Sequence, residues 1–185
     1  MPGGAHLTGL LGLPRPTAPA SHRRWARPIV LASFAALLVA CGGSDPVEVG
    51  DVSPAGRLAD QCSQVVDALP TTVVGEDRRD TVPADAPAAA WGDPPIVLRC
   101  GVERPDALQP TSFCLRVNSL GWLATQDGRE VDMVAPVEGT TTFTTIGRSV
   151  YVEVAVPATY APQADVLIDV TKAIRSATTG SLLCT

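Results

Sequence analysis

The thiol at position 41 is the side chain with the most clearly defined chemistry in this sequence. Cys41 closes the stretch Leu38-Val39-Ala40-Cys41, which follows an apolar run over residues 29–40 broken only by Ser33. Arg23, Arg24 and Arg27 precede the run. A basic stretch, a short apolar stretch and then a small residue form the layout of a secretory signal. The run is too short to span a hydrocarbon core ~30 Å thick, which takes ~20 apolar residues. With a cysteine directly after Val39-Ala40, the set looks like a lipobox, where a bacterial lipoprotein precursor is acylated and cut. The rival reading is an uncleaved signal anchor with an incidental cysteine. Acylation would hold Cys41 on the outer leaflet of the cytoplasmic membrane, each buried CH₂ contributing ~0.8 kcal/mol.

The other cysteines are Cys62, Cys100, Cys114 and Cys184. An even number outside the cytoplasm reads as two disulfides. The favoured pairing is Cys100–Cys114, closing a short loop between neighbouring strands, with Cys62–Cys184 tying the first helix to the tail. Against it, Cys100 shares strand parity with Ile96 and Leu98, whereas Cys114 shares parity with Arg116, and a bulge near Gly101 or Asn118 would be needed. The alternative is Cys62–Cys100 with Cys114–Cys184, which suits a helix packed on a sheet. Four-cysteine zinc is the other rival, but no CxxC spacing occurs, so neither a metal nor a cofactor is expected.

Both histidines, His6 and His22, lie ahead of Cys41. The chain from residue 41 onward therefore has no Ser-His or Cys-His nucleophile activation. It also lacks the ligands of most hydrolytic zinc sites. It carries ten basic against nineteen acidic residues, a net charge of −9, which argues against nucleic acid and against electrostatic docking on anionic lipid.

Three segments follow from these features. Residues 1–40 form an N-terminal extension and signal. Residues 1–21 within it are expected to be either an initiator assigned too far upstream or a disordered cytoplasmic extension, and no element of the fold is expected from them. Residues 41–52 are expected to be a flexible tether. Residues 53–185 are expected to form one extracytoplasmic domain, long enough to bury a core.

Positioning the domain's side chains requires two helices and a sheet. Ser53-Pro54 offers an N-cap and a first helical proline. Leu58, Cys62, Val65, Val66 and Leu69 then share one helical face until Pro70 stops it. Residues 71–90, with the charged run Glu76-Asp77-Arg78-Arg79-Asp80, read as a surface excursion. Strands are expected over residues 96–102, 113–117, 122–125, 130–135, 140–146 and 150–156. Asp127-Gly128 is a hairpin turn, and the threonine-rich segment 140–146 has the composition of an edge strand. Pro162 opens a second helix with Val166, Leu167, Val170, Ala173, Ile174 and Ala177 inward and Asp165, Asp169, Lys172 and Arg175 outward. The expected architecture is α+β: an antiparallel sheet of about five strands, with an N-terminal and a C-terminal helix packed on one face.

The block Trp91-Gly92-Asp93-Pro94-Pro95-Ile96-Val97-Leu98-Arg99-Cys100-Gly101-Val102 resembles the actinobacterial family catalogued as domain of unknown function 3515. Further matches are Cys114 with Val117-Asn118 and Trp122, then Thr145-Ile146-Gly147-Arg148, Tyr151-Val152-Glu153-Val154 and Val156-Pro157. Cys62 with Ala68-Leu69-Pro70 also fits, so the resemblance covers roughly residues 62–177. It implies a secreted or membrane-tethered protein and no particular mechanism, and no functional residue is carried over from it.

Trp91 and Asp93 are candidates for a ligand-facing loop, with Trp122 as a second aromatic. The structural reading has Trp91 packing over the sheet edge and Asp93 closing its own turn. Arg148 is a candidate anion receptor, or else the partner of a nearby carboxylate. No catalytic residue stands out: Lys172 lies on a wet helix face, and no spacing singles out two acids for glycoside hydrolysis. Three readings remain. The first is a non-enzymatic, lipid-anchored envelope protein that binds a ligand, an envelope protein or a wall polymer. The second is a carboxylate-based hydrolase of wall polymers, and the third is a structural envelope protein. Two acids converging in a cleft would favour the hydrolase, and an apolar or aromatic patch would favour the binding module.

Overall fold

Arg57–Ala68 forms helix α1 in the computed structural model, which describes residues 45–133 and 138–180. The expected apolar face is present in Cys62, Val65 and Leu69, all buried. Leu58 departs from it: at 41% exposure it lies on solvent, because the helix begins at the Gly56 cap rather than at Ser53-Pro54. Pro70 follows an extended Leu69, as the clash of a proline ring with a preceding helical residue requires.

Eleven strands are present among the described residues: β1 (Val47–Glu48), β2 (Thr72–Val73), β3 (Glu76–Arg79), β4 (Thr81–Val82), β5 (Ala88–Trp91), β6 (Ile96–Val102), β7 (Leu115–Val117), β8 (Leu120–Gln126), β9 (Arg129–Glu130), β10 (Thr141–Ile146) and β11 (Tyr151–Val156). Nine of them form one sheet in the order β2-β3-β5-β6-β11-β10-β8-β7, with β9 paired to β8. The pairings in this sheet are antiparallel, whereas β1 runs parallel to β4 in a separate pair.

The architecture is therefore α+β, but the sheet is wider than the five strands expected. The excess comes mostly from residues 71–90, read as a surface excursion, and Trp91 beside them, where β2, β3 and β5 extend the sheet and β4 pairs with β1. Their residues do not alternate, because β5 (Ala88–Trp91) is buried on both faces and β3 (Glu76–Arg79) carries only charged side chains. The segment 140–146 is corrected as well: β10 lies between β8 and β11, not at an edge. Its threonines satisfy their hydroxyls locally. Thr145 Oγ1 accepts from the Val152 amide at 3.0 Å, and Thr141 Oγ1 donates to Gln163 Oε1 at 2.9 Å.

The second helix, α2 (Val166–Ala177), follows a 3-10 turn at Gln163–Asp165 and buries Val166, Leu167, Val170, Ala173 and Ile174. These residues share a core cluster with Cys62 and Val65 of α1 and with Ile96, Leu98, Val152, Val154, Phe143 and Trp122 of the sheet. The other face of the sheet has only small clusters. Val47 and Val49 cover Ala88 and Ala90, and Leu108, from the loop after β6, covers Leu123 and Ile146.

The register of β6 on β11 shifts between Tyr151 and Val152, with Gly101 at φ +87° beside the shift. A β-carbon at Gly101 would lie 2.7 Å from Pro54 Cβ, so only glycine admits the 50–54 segment across the bulge. Among the described residues, no helix is long and apolar enough to cross a membrane. The Leu38–Cys41 motif, Cys184 and the apolar tail 181–185 lie outside the described residues.

Candidate functional site

The corner Trp91-Gly92-Asp93-Pro94 joins β5 to β6, and three distant parts of the chain converge on it. Trp91 has no exposed surface. Its Nε1 donates to the Pro70 carbonyl at 3.2 Å, just after the end of α1, and the Arg78 guanidinium lies 5.7 Å from its ring centroid. Arg79 donates through Nη1 to the Gly92 carbonyl at 2.9 Å and through Nη2 to the Asp45 carbonyl. From beyond β11, Tyr160 donates its hydroxyl to the Pro94 carbonyl at 2.8 Å. Gly92, at φ +70°, has no room for a side chain, since a β-carbon there would lie 2.3 Å from the Tyr160 hydroxyl oxygen.

A shallow cavity of about 300 Å³ opens at this corner, lined by Glu76, Asp77, Arg78, Arg79 and Asp93. Asp93 is almost fully exposed and stands 3.9 Å from the Arg79 guanidinium. The Tyr160 phenol is pushed above its usual pKa, first by partial burial and then by the charges of Glu76 and Asp93. Trp91 Nε1 and the Tyr160 hydroxyl are used within the protein, and Arg79 is engaged by two carbonyls through Nη1 and Nη2. The Trp91 ring is therefore a wall of the core, with no face for a ligand in solution.

Trp122, on β8, is likewise fully buried in the main cluster. Among the described residues, Arg148 bonds to hydroxyl and carbonyl oxygens rather than to a carboxylate. Its Nε donates to Thr178 Oγ1 at 2.9 Å, Nη2 donates to the Thr178 carbonyl, and Nη1 reaches the Gly180 carbonyl at 3.5 Å. Cations near a helix C-terminus complement its exposed carbonyls, and Thr178 is the C-cap of α2. Burial, then the nearby charge of Arg175, lowers the Arg148 pKa.

The favoured disulfide pairing is overturned. Cys62 bonds to Cys100, with Cα atoms 5.4 Å apart, linking α1 to β6. Between β6 and β7 lie β11, β10 and β8, so the two outer strands are about 19 Å apart at ~4.8 Å per step. Cys100 is taken by Cys62 and is thus not available to Cys114, just before β7. The parity of Cys100 with Ile96 and Leu98 pointed the right way: all three are fully buried in the core shared with α1. Cys114 is itself disulfide-bonded.

Several organising residues carried no sequence signal. Arg79 lay inside a charge run that reads as solvated, and Tyr160 stood outside any periodic segment. Gln163, only 3% exposed, binds the Val156 carbonyl at 2.6 Å and the Gly139 carbonyl at 3.1 Å, although glutamine is not usually a core residue. Part of the expected tether also belongs to the fold. The Val47 and Val49 amides donate to the carbonyls of Asp80 and Val82 at 2.8 and 3.0 Å, and both valines are buried.

Two further grooves flank residues 50–54. One, of about 350 Å³, runs along Gly50–Pro54 to Ala59, Ser63, Asp85 and Pro87. The other, of about 360 Å³, reaches Arg99, Gly101 and Glu103. Arg99 is committed to Glu153 there, through Nε at 2.7 Å and through Nη2.

Residues 26–181 match the family model described as "Protein of unknown function (DUF3515)". No curated protein and no solved structure matches the chain.

Proposed function

This chain belongs to the DUF3515 family, and from that premise we propose a lipid-anchored protein of the cell envelope, acting by binding a ligand or a partner rather than by catalysis. The observation that carries the reading is how little chain separates Cys41 from buried structure. Asp45, four residues after Cys41, is already fastened by Arg79, and Val47 is already buried. Packing that close to Cys41 is compatible with a mature chain cut before Cys41. The oxidised Cys62–Cys100 pair fits an extracytoplasmic location. Binding is favoured over hydrolysis because the residues best able to do chemistry serve the scaffold. Arg148 caps α2, Arg99 holds Glu153, and the Trp91 corner ties three segments together. For the second disulfide, the bonded state of Cys114 supports Cys114–Cys184.

Metabolic labelling with a fatty acid tests the anchor. The natural chain is expected to take up label and Cys41→Ala to lose it; label retained by Cys41→Ala would sink the reading. Crosslinking of the membrane-held protein, followed by pull-down, identifies what it binds. Non-reducing peptide mapping is expected to recover Cys114 joined to Cys184.

A further inference from the structure

The anchor proposed above would leave very little slack. Only Gly42, Gly43 and Ser44 separate Cys41 from Asp45, whose carbonyl is held by Arg79. Four residue steps of fully extended chain span at most ~14 Å. Asp45 therefore cannot leave the membrane surface by more than that, however mobile the link. Because Asp45 is bonded to Arg79 beside the Gly92–Asp93 corner, and β1 then runs along β4, one particular end of the domain is tethered.

We infer that this end is the membrane-facing surface of the domain: Asp45, the β1–β4 pair and the Gly92–Asp93 corner. Its neighbour is the phospholipid headgroup layer. The inference rests on Cys41 carrying the lipid. The surface is held by its leash and not by adhesion, since the exposed Asp45, Glu48, Asp80 and Asp93 outnumber Arg78 and Arg79 there and a net acidic surface does not attract anionic headgroups. The opposite end is the β8–β9 turn. It lies five strand steps from β3, about 24 Å away at ~4.8 Å per step. That end also carries the exposed Phe113, whose amide is bonded to Glu130 of β9. The end free to meet a partner protein is therefore the one bearing Phe113 and the β8–β9 turn, while the corner cavity at Asp93 opens toward lipid.

The test uses the acylated protein purified from membranes and reconstituted in phosphatidylcholine vesicles containing phosphatidylglycerol and a nickel-chelating lipid. Nitroxide is attached at Asp80→Cys or at Asp127→Cys, both exposed positions. Nickel on the headgroups is expected to relax the label at 80 several-fold more than the label at 127. A flexible Gly-Ser insert of about twenty residues between Gly43 and Ser44 lengthens the leash and is expected to bring the two values together. Equal relaxation without the insert, or stronger relaxation at 127, overturns the orientation. Failure of the protein to float with the vesicles, with no acyl mass on the Cys41 peptide, overturns the lipid reading and the orientation with it. Flotation together with equal relaxation overturns the orientation alone.

Discussion

Two rows of side chains cross the same five strands one residue apart. Ala89, Leu98, Val154, Phe143 and Ala124 point to one face, and Ala88, Arg99, Glu153, Thr144 and Leu123 to the other. The first row belongs entirely to the cluster that includes both helices. The second is divided: Ala88 lies under Val47 and Val49, Leu123 lies under Leu108, and an ion pair stands between them. A sheet of this kind concentrates its stability on the face that meets long amphipathic elements. Short segments cover the other face, leaving it with polar side chains and grooves. The backbone is the same for both rows, so the difference comes from what each face has to pack against.

The largest expected effect breaks the first face at its crosslink. Removing Cys62 and Cys100 together, as alanines, frees a loop with a sequence separation of 38 residues. In the chain-entropy model this costs about 4 kcal/mol, visible as a lower urea midpoint. Little change would mean that the helix and β6 are held by packing alone.

Adjacent residues sharpen the comparison. Leu98→Ala empties a fully buried site and is expected to cost about 2–5 kcal/mol. Val97→Ala, on the half-covered face beside β1, should cost less than about 1.5 kcal/mol, since only part of its ~0.8 kcal/mol per CH₂ is at stake. Equal losses in chemical denaturation would show the two faces to be energetically alike. A smaller effect is expected from Glu153→Ala, which removes Arg99's carboxylate partner. Because Arg99 keeps a third of its side-chain surface in water, the loss should be about 1 kcal/mol and shrink in high salt.

The contrast between the faces also explains how much of the fold was legible in the sequence. Strand β6 has the limits expected from residues 96–102, and α2 buries the expected stripe. In both, a deep core imposes a regular period on the sequence. Strands of two to four residues between positions 71 and 91 impose none: β5 is buried on both faces, and β3 carries only charged side chains. Threonine misled at β10 because a hydroxyl that bonds within the sheet tolerates burial as well as exposure. Trp91 and Arg148 had the composition of a binding site, but composition does not reveal that Pro70, Thr178 and Gly180 supply carbonyls within reach.

The smallest effect concerns Tyr160, which closes the corner at the edge of the main core. Its phenol is raised above the usual value by partial burial and by Glu76 and Asp93. A raised acid favours the protonated form in the folded state. Its contribution is therefore fully present below the unfolded value, about 10, and is lost as pH rises through the folded value. The chemistry agrees: a phenolate cannot donate to the Pro94 carbonyl and would face two carboxylates. Tyr160→Phe removes that hydrogen bond, at a cost of about 0.5–1.5 kcal/mol. The stability difference between the natural chain and Tyr160→Phe should be constant from neutral pH up to about 10 and narrow above it. Denaturant titrations of both proteins across that range measure the difference. If it stays flat through the alkaline range, the phenol is not coupled to Glu76 and Asp93, and the corner is held by packing around Trp91 rather than by its polar contacts.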